Sequence, residues 1–277
     1  MLIIVDTSVA GACRFHISLG VCFKKKALIK KIVLIPALSV ILLSGCAELN
    51  TLMQSLPSDA PLTEADVASG LKEALTIGSK NASSILSAVD GYYGDELVKI
   101  LLPEEASVII DNISRIPGGE KLVEDVILRI NRAAEDAAKE VAPIFVNSIR
   151  QMTIRDAFTI LKGADNAATQ YLINTTRTDL YNLYKPKIMQ STGKDIVGGI
   201  STKESWEALT GKWNTFANSV IGRAAGFQAV NTDLDDYLTN RALDGMFLKV
   251  QDEEKKIRTN VSARVTPLLE KVFGSLD

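Results

Sequence analysis

From Thr63 to Phe273 the apolar residues recur at three- and four-residue spacing, and no stretch alternates apolar and polar residues for the length of a strand. That period turns one face of a helix toward a core. Val67, Leu71, Leu75, Ala82, Ile85 and Val89 trace such a face behind Thr63, which with Asp66 three residues on reads as an N-terminal cap with an acidic first turn. Gly70 and Gly78 each weaken this helix by about 1 kcal/mol relative to alanine; both are points of close approach that simple packing explains. The chain therefore reads as all-α, a single multi-helix globular domain of roughly nine to eleven helices.

Breakers divide the pattern. Gly91-Tyr92-Tyr93-Gly94 interrupts it, Pro103 opens a helix where its missing amide costs nothing, and Ile116-Pro117-Gly118-Gly119 forms a turn. The helix after it carries Leu122, Val126, Ile130, Ala133 and Ala137 until Pro143 ends or kinks it. Met152 and Thr153 begin another that stops at Gly163, and a further one runs through Leu180 and Tyr184 past Pro186. Residues 191–201, rich in Gly and Ser, read as a long loop or hinge. Ser201 and Glu204 then match a capping box, and Trp206, Leu209, Trp213, Phe216 and Val220 share one face, with both tryptophans in the core. Asn231-Thr232-Asp233 caps a helix through Leu238, Met246 and Val250, and Val265 to Phe273 forms the last.

The N-terminal region has a different character. Five lysines between Lys24 and Lys31 precede an uncharged run, Ile32 to Leu43, then Ser44, Gly45 and Cys46. The run is shorter than the roughly 20 apolar residues of a stable membrane span, and its layout is that of an export signal removed after use. Leu43-Ser44-Gly45-Cys46 resembles the bacterial lipobox, which implies acylation of the Cys46 sulfur, cleavage before it and acylation of the new amine; the alternative is a free cysteine behind a signal. Two or three chains make a stable anchor, since one holds only marginally at about 0.8 kcal/mol per buried methylene. Residues 1–45 thus form an extension plus signal, with Leu28 the expected true start; residues 46–61 form a lipidated tether, and 62–277 the helical domain. Ala47 stands where an aspartate would favour inner-membrane retention, so the expected location is the inner leaflet of the outer membrane, facing the periplasm.

Processing at Cys46 removes much reactive chemistry. Of 31 basic and 33 acidic residues, six and one precede Cys46, which leaves 25 and 32 and a net charge of −7. Such a domain has no general attraction for nucleic acid. His16 is the only histidine, and the other cysteines, Cys13 and Cys22, also lie upstream. Ser-His-Asp and Cys-His catalysis, Cys/His zinc sites and internal disulfides are therefore excluded from the processed domain. No cofactor or metal is expected.

Several stretches together are similar to the bacterial domain-of-unknown-function family numbered 4197. They include Asn131 to Glu135 with Ala142 to Phe145, Met152 to Ala157 with Ile160 to Gly163, Ala167 to Leu172, and Ala242 to Phe247 through Glu253 to Arg258 with Ala263-Arg264. The resemblance covers nearly all of the processed chain and implies an exported or lipid-anchored helical protein, with no established activity.

Two polar groupings stand out. Asn131 and Glu135 are four apart on one helix face, and Asp156, Thr169 and Tyr171 on the next two helices are placed to converge with them across a helical hairpin. They form either a polar pocket, even a site for a hard cation, or buried groups that satisfy one another, or a solvated face. Glu253 and Glu254 point about 100° apart on a helix, which disfavours a shared substrate; Glu254 and Arg258 read as a surface or half-buried ion pair. The expected function is non-enzymatic, binding a partner envelope protein or an apolar ligand. The alternatives are a carboxylate-dependent hydrolase of envelope glycans, which requires two of Glu135, Asp156, Glu253 and Glu254 in one cleft, and a structural spacer.

Overall fold

Five of the helices start behind a residue whose side chain accepts an early amide. The structure, a computed structural model, describes residues 61–115 and 118–277. Ten α-helices lie among them, with four short 3-10 turns and no strand. In chain order they are α1 (Glu64–Leu86), α2 (Ser107–Asp111), α3 (Gly119–Ala138), α4 (Val141–Gln151), α5 (Ala157–Leu161), α6 (Ala167–Thr192), α7 (Thr202–Ala217), α8 (Val220–Ala224), α9 (Leu234–Thr259) and α10 (Pro267–Phe273). Thr63 and Asp66 exchange backbone and side-chain bonds of 3.1 Å in a capping box, as do Ser201 and Glu204, and Asp233 accepts from the Asp236 amide ahead of α9. Each cap satisfies amides that a helix start leaves without partners.

The fold is all-α. Helices α1 and α9 form its central pair; α4, α5 and α10 also pack on α1, and α6 lies along α9. Helix α3 joins α6 to α7. Leu71, Leu75, Ile130, Phe145, Leu238 and Val250 are fully buried in one shared core. Gly70 lets Val272 of α10 settle against the α1 backbone, where an added Cβ would stand 2.7 Å from a Val272 methyl. Gly78 faces Val250 and Glu253 of α9 in the same way, with 3.3 Å to the nearest atom. Both glycines are thus points of close approach between helices.

Two local expectations are corrected. No helix begins at Met152: that residue caps the end of α4 in extended conformation, and Asp156 takes the left-handed conformation at φ 53°. The Tyr171 hydroxyl donates to the Thr153 carbonyl at 2.7 Å and the Ala157 amide donates to Glu64 at 3.1 Å, so the two groups that a helical turn would join are held by neighbours. Helix α6 does run on past Pro186, as its sequence reads. Val220 does not extend the buried stripe of α7; it starts α8 and is 78% exposed.

The loop over residues 193–201 is tied down. Arg129, whose side chain is 8% exposed, donates to the carbonyls of Ile200 at 2.6 Å and Gly198 at 3.2 Å. Asp195 accepts from the amides of Gly198 and Gly199, which have φ near +100° and so favour glycine. Cys46, the signal, the tether and the Ile116-Pro117 part of the expected turn lie outside the described residues.

Candidate functional site

Asn131 and Glu135 share a face of α3 and serve one irregular segment. Asn131 is fully buried; its amide oxygen accepts from the Ile100 amide at 2.9 Å, and its nitrogen donates to the carbonyls of Ile100 and Ile127 at 2.8 Å. Glu135 accepts from the amides of Tyr92 and Tyr93 at 3.1 Å and from Arg132 at 2.6 Å. Residues 88–102 form no regular helix, so their buried amides need such partners. Burial pushes the Tyr92 phenol well above its ordinary value and keeps it a donor, 2.8 Å from the Ala242 carbonyl.

The other three candidates stand elsewhere. Thr169, fully buried at the start of α6, donates its hydroxyl to Glu254 at 2.7 Å, and Glu254 also takes the amides of Ala168 and Thr169. Tyr171 is engaged with Thr153, and the exposed Asp156 precedes α5 with no capping bond. The structure therefore brings Asn131 and Glu135 to one segment but does not gather the five residues into one pocket. The ion pair of Glu254 and Arg258 is fully buried rather than superficial, and Glu253 turns away to Asn81 at 2.7 Å and Lys256 at 2.5 Å. Among the described residues no group of three or more His, Cys, Asp or Glu side chains is placed to hold a metal ion.

A cleft of about 640 Å³ opens between α4 and α6. Asn147 and Gln151 line it from α4, and Thr175, Asp179, Asn182 and Leu183 from α6. Its floor includes Met152, whose sulfur accepts from the Thr175 hydroxyl at 3.4 Å. Among the described residues the side chains of Asn147, Gln151, Asp179 and Asn182 have no hydrogen-bond partner. Asp179 is the one charged residue among the described residues of the lining. A smaller cleft of about 310 Å³ lies between α7 and the start of α9, beside Trp206, Glu207, Asp233 and Asp235. Two of its acids are already engaged: Asp233 caps α9, and Asp235 accepts from Thr192 at 2.6 Å.

Sequence reasoning missed the α4–α6 cleft because its polar residues look like two ordinary solvated faces. Asn147 with Gln151, and Thr175 with Asp179, each show the four-residue spacing of a shared face, but no local signal says that these faces oppose one another.

A family model described as protein of unknown function, DUF4197, matches residues 61–274. The chain belongs to the DUF4197 family. The match takes in α1 through α10 and both rails of the cleft, and begins after Cys46. Neither a curated protein nor a solved structure matches the chain. No helix among the described residues is long and apolar enough to cross a membrane.

Proposed function

We propose that this member of the DUF4197 family is a non-catalytic binding protein of the cell envelope. It is held by acyl chains on Cys46 at the inner leaflet of the outer membrane and binds a partner protein through the α4–α6 cleft. The observation that carries the binding role is the set of side-chain amides and the carboxylate along that cleft without partners of their own among the described residues. Polar groups left free on two facing helices suit a partner's polar surface better than an apolar ligand.

The hydrolase alternative has less support. Glu135 and Glu254 are buried in bonds to backbone amides, Glu253 is paired, and Asp156 is exposed ahead of α5 with no capping bond. Two-carboxylate chemistry needs its acids across one cleft, and Asp179 stands without a second acid among the described residues of the α4–α6 cleft.

The test places a photo-crosslinking amino acid at Asn182, with Lys212 on α7 as the control position, in cells that make the full chain. A covalent adduct at Asn182 and none at Lys212 is the expected result; no adduct at Asn182 would remove the partner-binding role. Cys46→Ser tests the anchor in parallel, and normal membrane fractionation of that variant would refute it.

A further inference from the structure

The cleft between α4 and α6 has two antiparallel rails. Glu140, just ahead of α4, meets Lys187 late in α6 at 3.4 Å, whereas Met152 beyond the other end of α4 meets Thr175. Asn147 and Gln151 lie four residues apart on one rail; Thr175, Asp179 and Asn182 follow at intervals of four and three on the other. Helical rise spaces these groups by about 4.5 to 6 Å. An extended peptide repeats the groups on one of its sides every two residues, or about 6.6 Å, so successive rail positions fall close to successive peptide groups.

The chemistry matches as well as the spacing. An Asn or Gln side chain carries one carbonyl acceptor and two N–H donors, and so complements both halves of a peptide group. Pro186 adds an acceptor: without an N–H it leaves the Asn182 carbonyl without its usual helical donor. The apolar surface comes from Met152 and Leu183, with no aromatic face for a sugar ring to stack on among the lining residues. Asp179 supplies a single negative charge in the middle of its rail. The lining runs from Thr175 to Leu183 along α6, about 12 Å at the helical rise, enough for roughly four residues of extended chain.

Building on the proposed partner-binding role, we infer that the α4–α6 cleft takes an extended peptide segment of the partner. Asn147, Gln151 and Asn182 pair with the backbone of that segment, and Asp179 holds a Lys or Arg side chain near its centre. Recognition of this kind reads main-chain groups for affinity and one side chain for specificity.

The test uses the lipidated protein extracted in detergent and three fluorescein-labelled pools of capped heptapeptides. All share Ser, Thr, Gly, Ala and Val at the flanking positions and carry Lys, Gln or Glu at the centre. The Lys pool is expected to bind most tightly and the Glu pool least. Asp179→Asn should weaken the Lys pool about fivefold, the worth of one partly exposed ion pair, and leave the Gln pool unchanged. Asn147→Ala with Gln151→Ala should weaken the Lys and Gln pools alike, with helical circular dichroism unaltered because both side chains are exposed. Equal affinity for the Lys and Glu pools overturns the inference, as does a Lys-pool affinity that neither change moves. Displacement by a chito-oligosaccharide pool also overturns it, in favour of a glycan. A specific adduct at Asn182 in cells together with indifferent peptide pools would leave partner binding standing and remove the extended-peptide mode alone.

Discussion

Glu254 and Arg258 stand one turn apart on α9, with side chains 1% and 3% exposed and charged atoms 2.8 Å apart, and each serves the end of a different helix. Glu254 receives the amides of Ala168 and Thr169 at the start of α6, whereas Arg258 donates to the carbonyls of Ile160 and Leu161 at the end of α5. The negative group meets a helix start and the positive group a helix end, which suits both helix dipoles. Arg258→Met should therefore cost about 3–5 kcal/mol, because it leaves a buried carboxylate without its cation. Adding Glu254→Met should cost less than the sum of the single changes by at least about 1 kcal/mol. Urea unfolding of the four proteins checks this, and strict additivity would show that the two residues act independently.

Gly70 and Val272 make a second tight junction. Gly70→Ala drives a methyl toward the Val272 side chain at 2.7 Å, and the strain should cost about 1–3 kcal/mol despite alanine's better helix propensity. Val272→Ala in the same protein should recover part of the loss. Thermal midpoints of the single and double variants decide it; a stabilising Gly70→Ala would mean that α10 moves aside freely.

Asp136 sets an acid limit on stability. Burial opposes its ionisation, but hydrogen bonds from Lys194, Lys139 and Ser191 outweigh that effect and hold the carboxyl at about 2, below its ordinary 3.8. With the folded value the lower one, the stabilisation is complete above the ordinary value and is lost as pH falls toward 2. Asp136→Asn should be less stable than the parent at neutral pH, and the gap should narrow through this window. Midpoints measured from pH 6 to pH 2 test it; a constant gap would assign the loss to packing.

Arg129 governs the loop over residues 193–201. Arg129→Met removes its bonds to the carbonyls of Gly198 and Ile200 and its ion pair with Asp125 at 2.7 Å. Hydrogen bonds to charged groups are worth about 1.5–3 kcal/mol each, so local opening should rise on the order of tenfold or more. Trypsin cleavage after Lys194 should accelerate accordingly at a temperature where the parent is folded. An unchanged rate would mean that Asp195 and its glycine amides hold the loop alone.

Local chemistry was readable from the chain, and distant pairing was not. The three- and four-residue spacing of apolar side chains determines the all-α fold, and the caps at Thr63, Ser201 and Asp233 are legible because donor and acceptor lie three residues apart. Asn131, Glu135 and Thr169 stood out as polar groups on apolar faces, but their partners at Ile100, Tyr92 and Glu254 lie 31, 43 and 85 residues away. Only the path of the folded chain selects such partners. The same holds for Met152 to Asp156, where bonds to Tyr171 and Glu64 override a helical sequence, and for the α4–α6 cleft. Its residues have the period of solvated surface, and it exists because tertiary packing sets two such surfaces face to face.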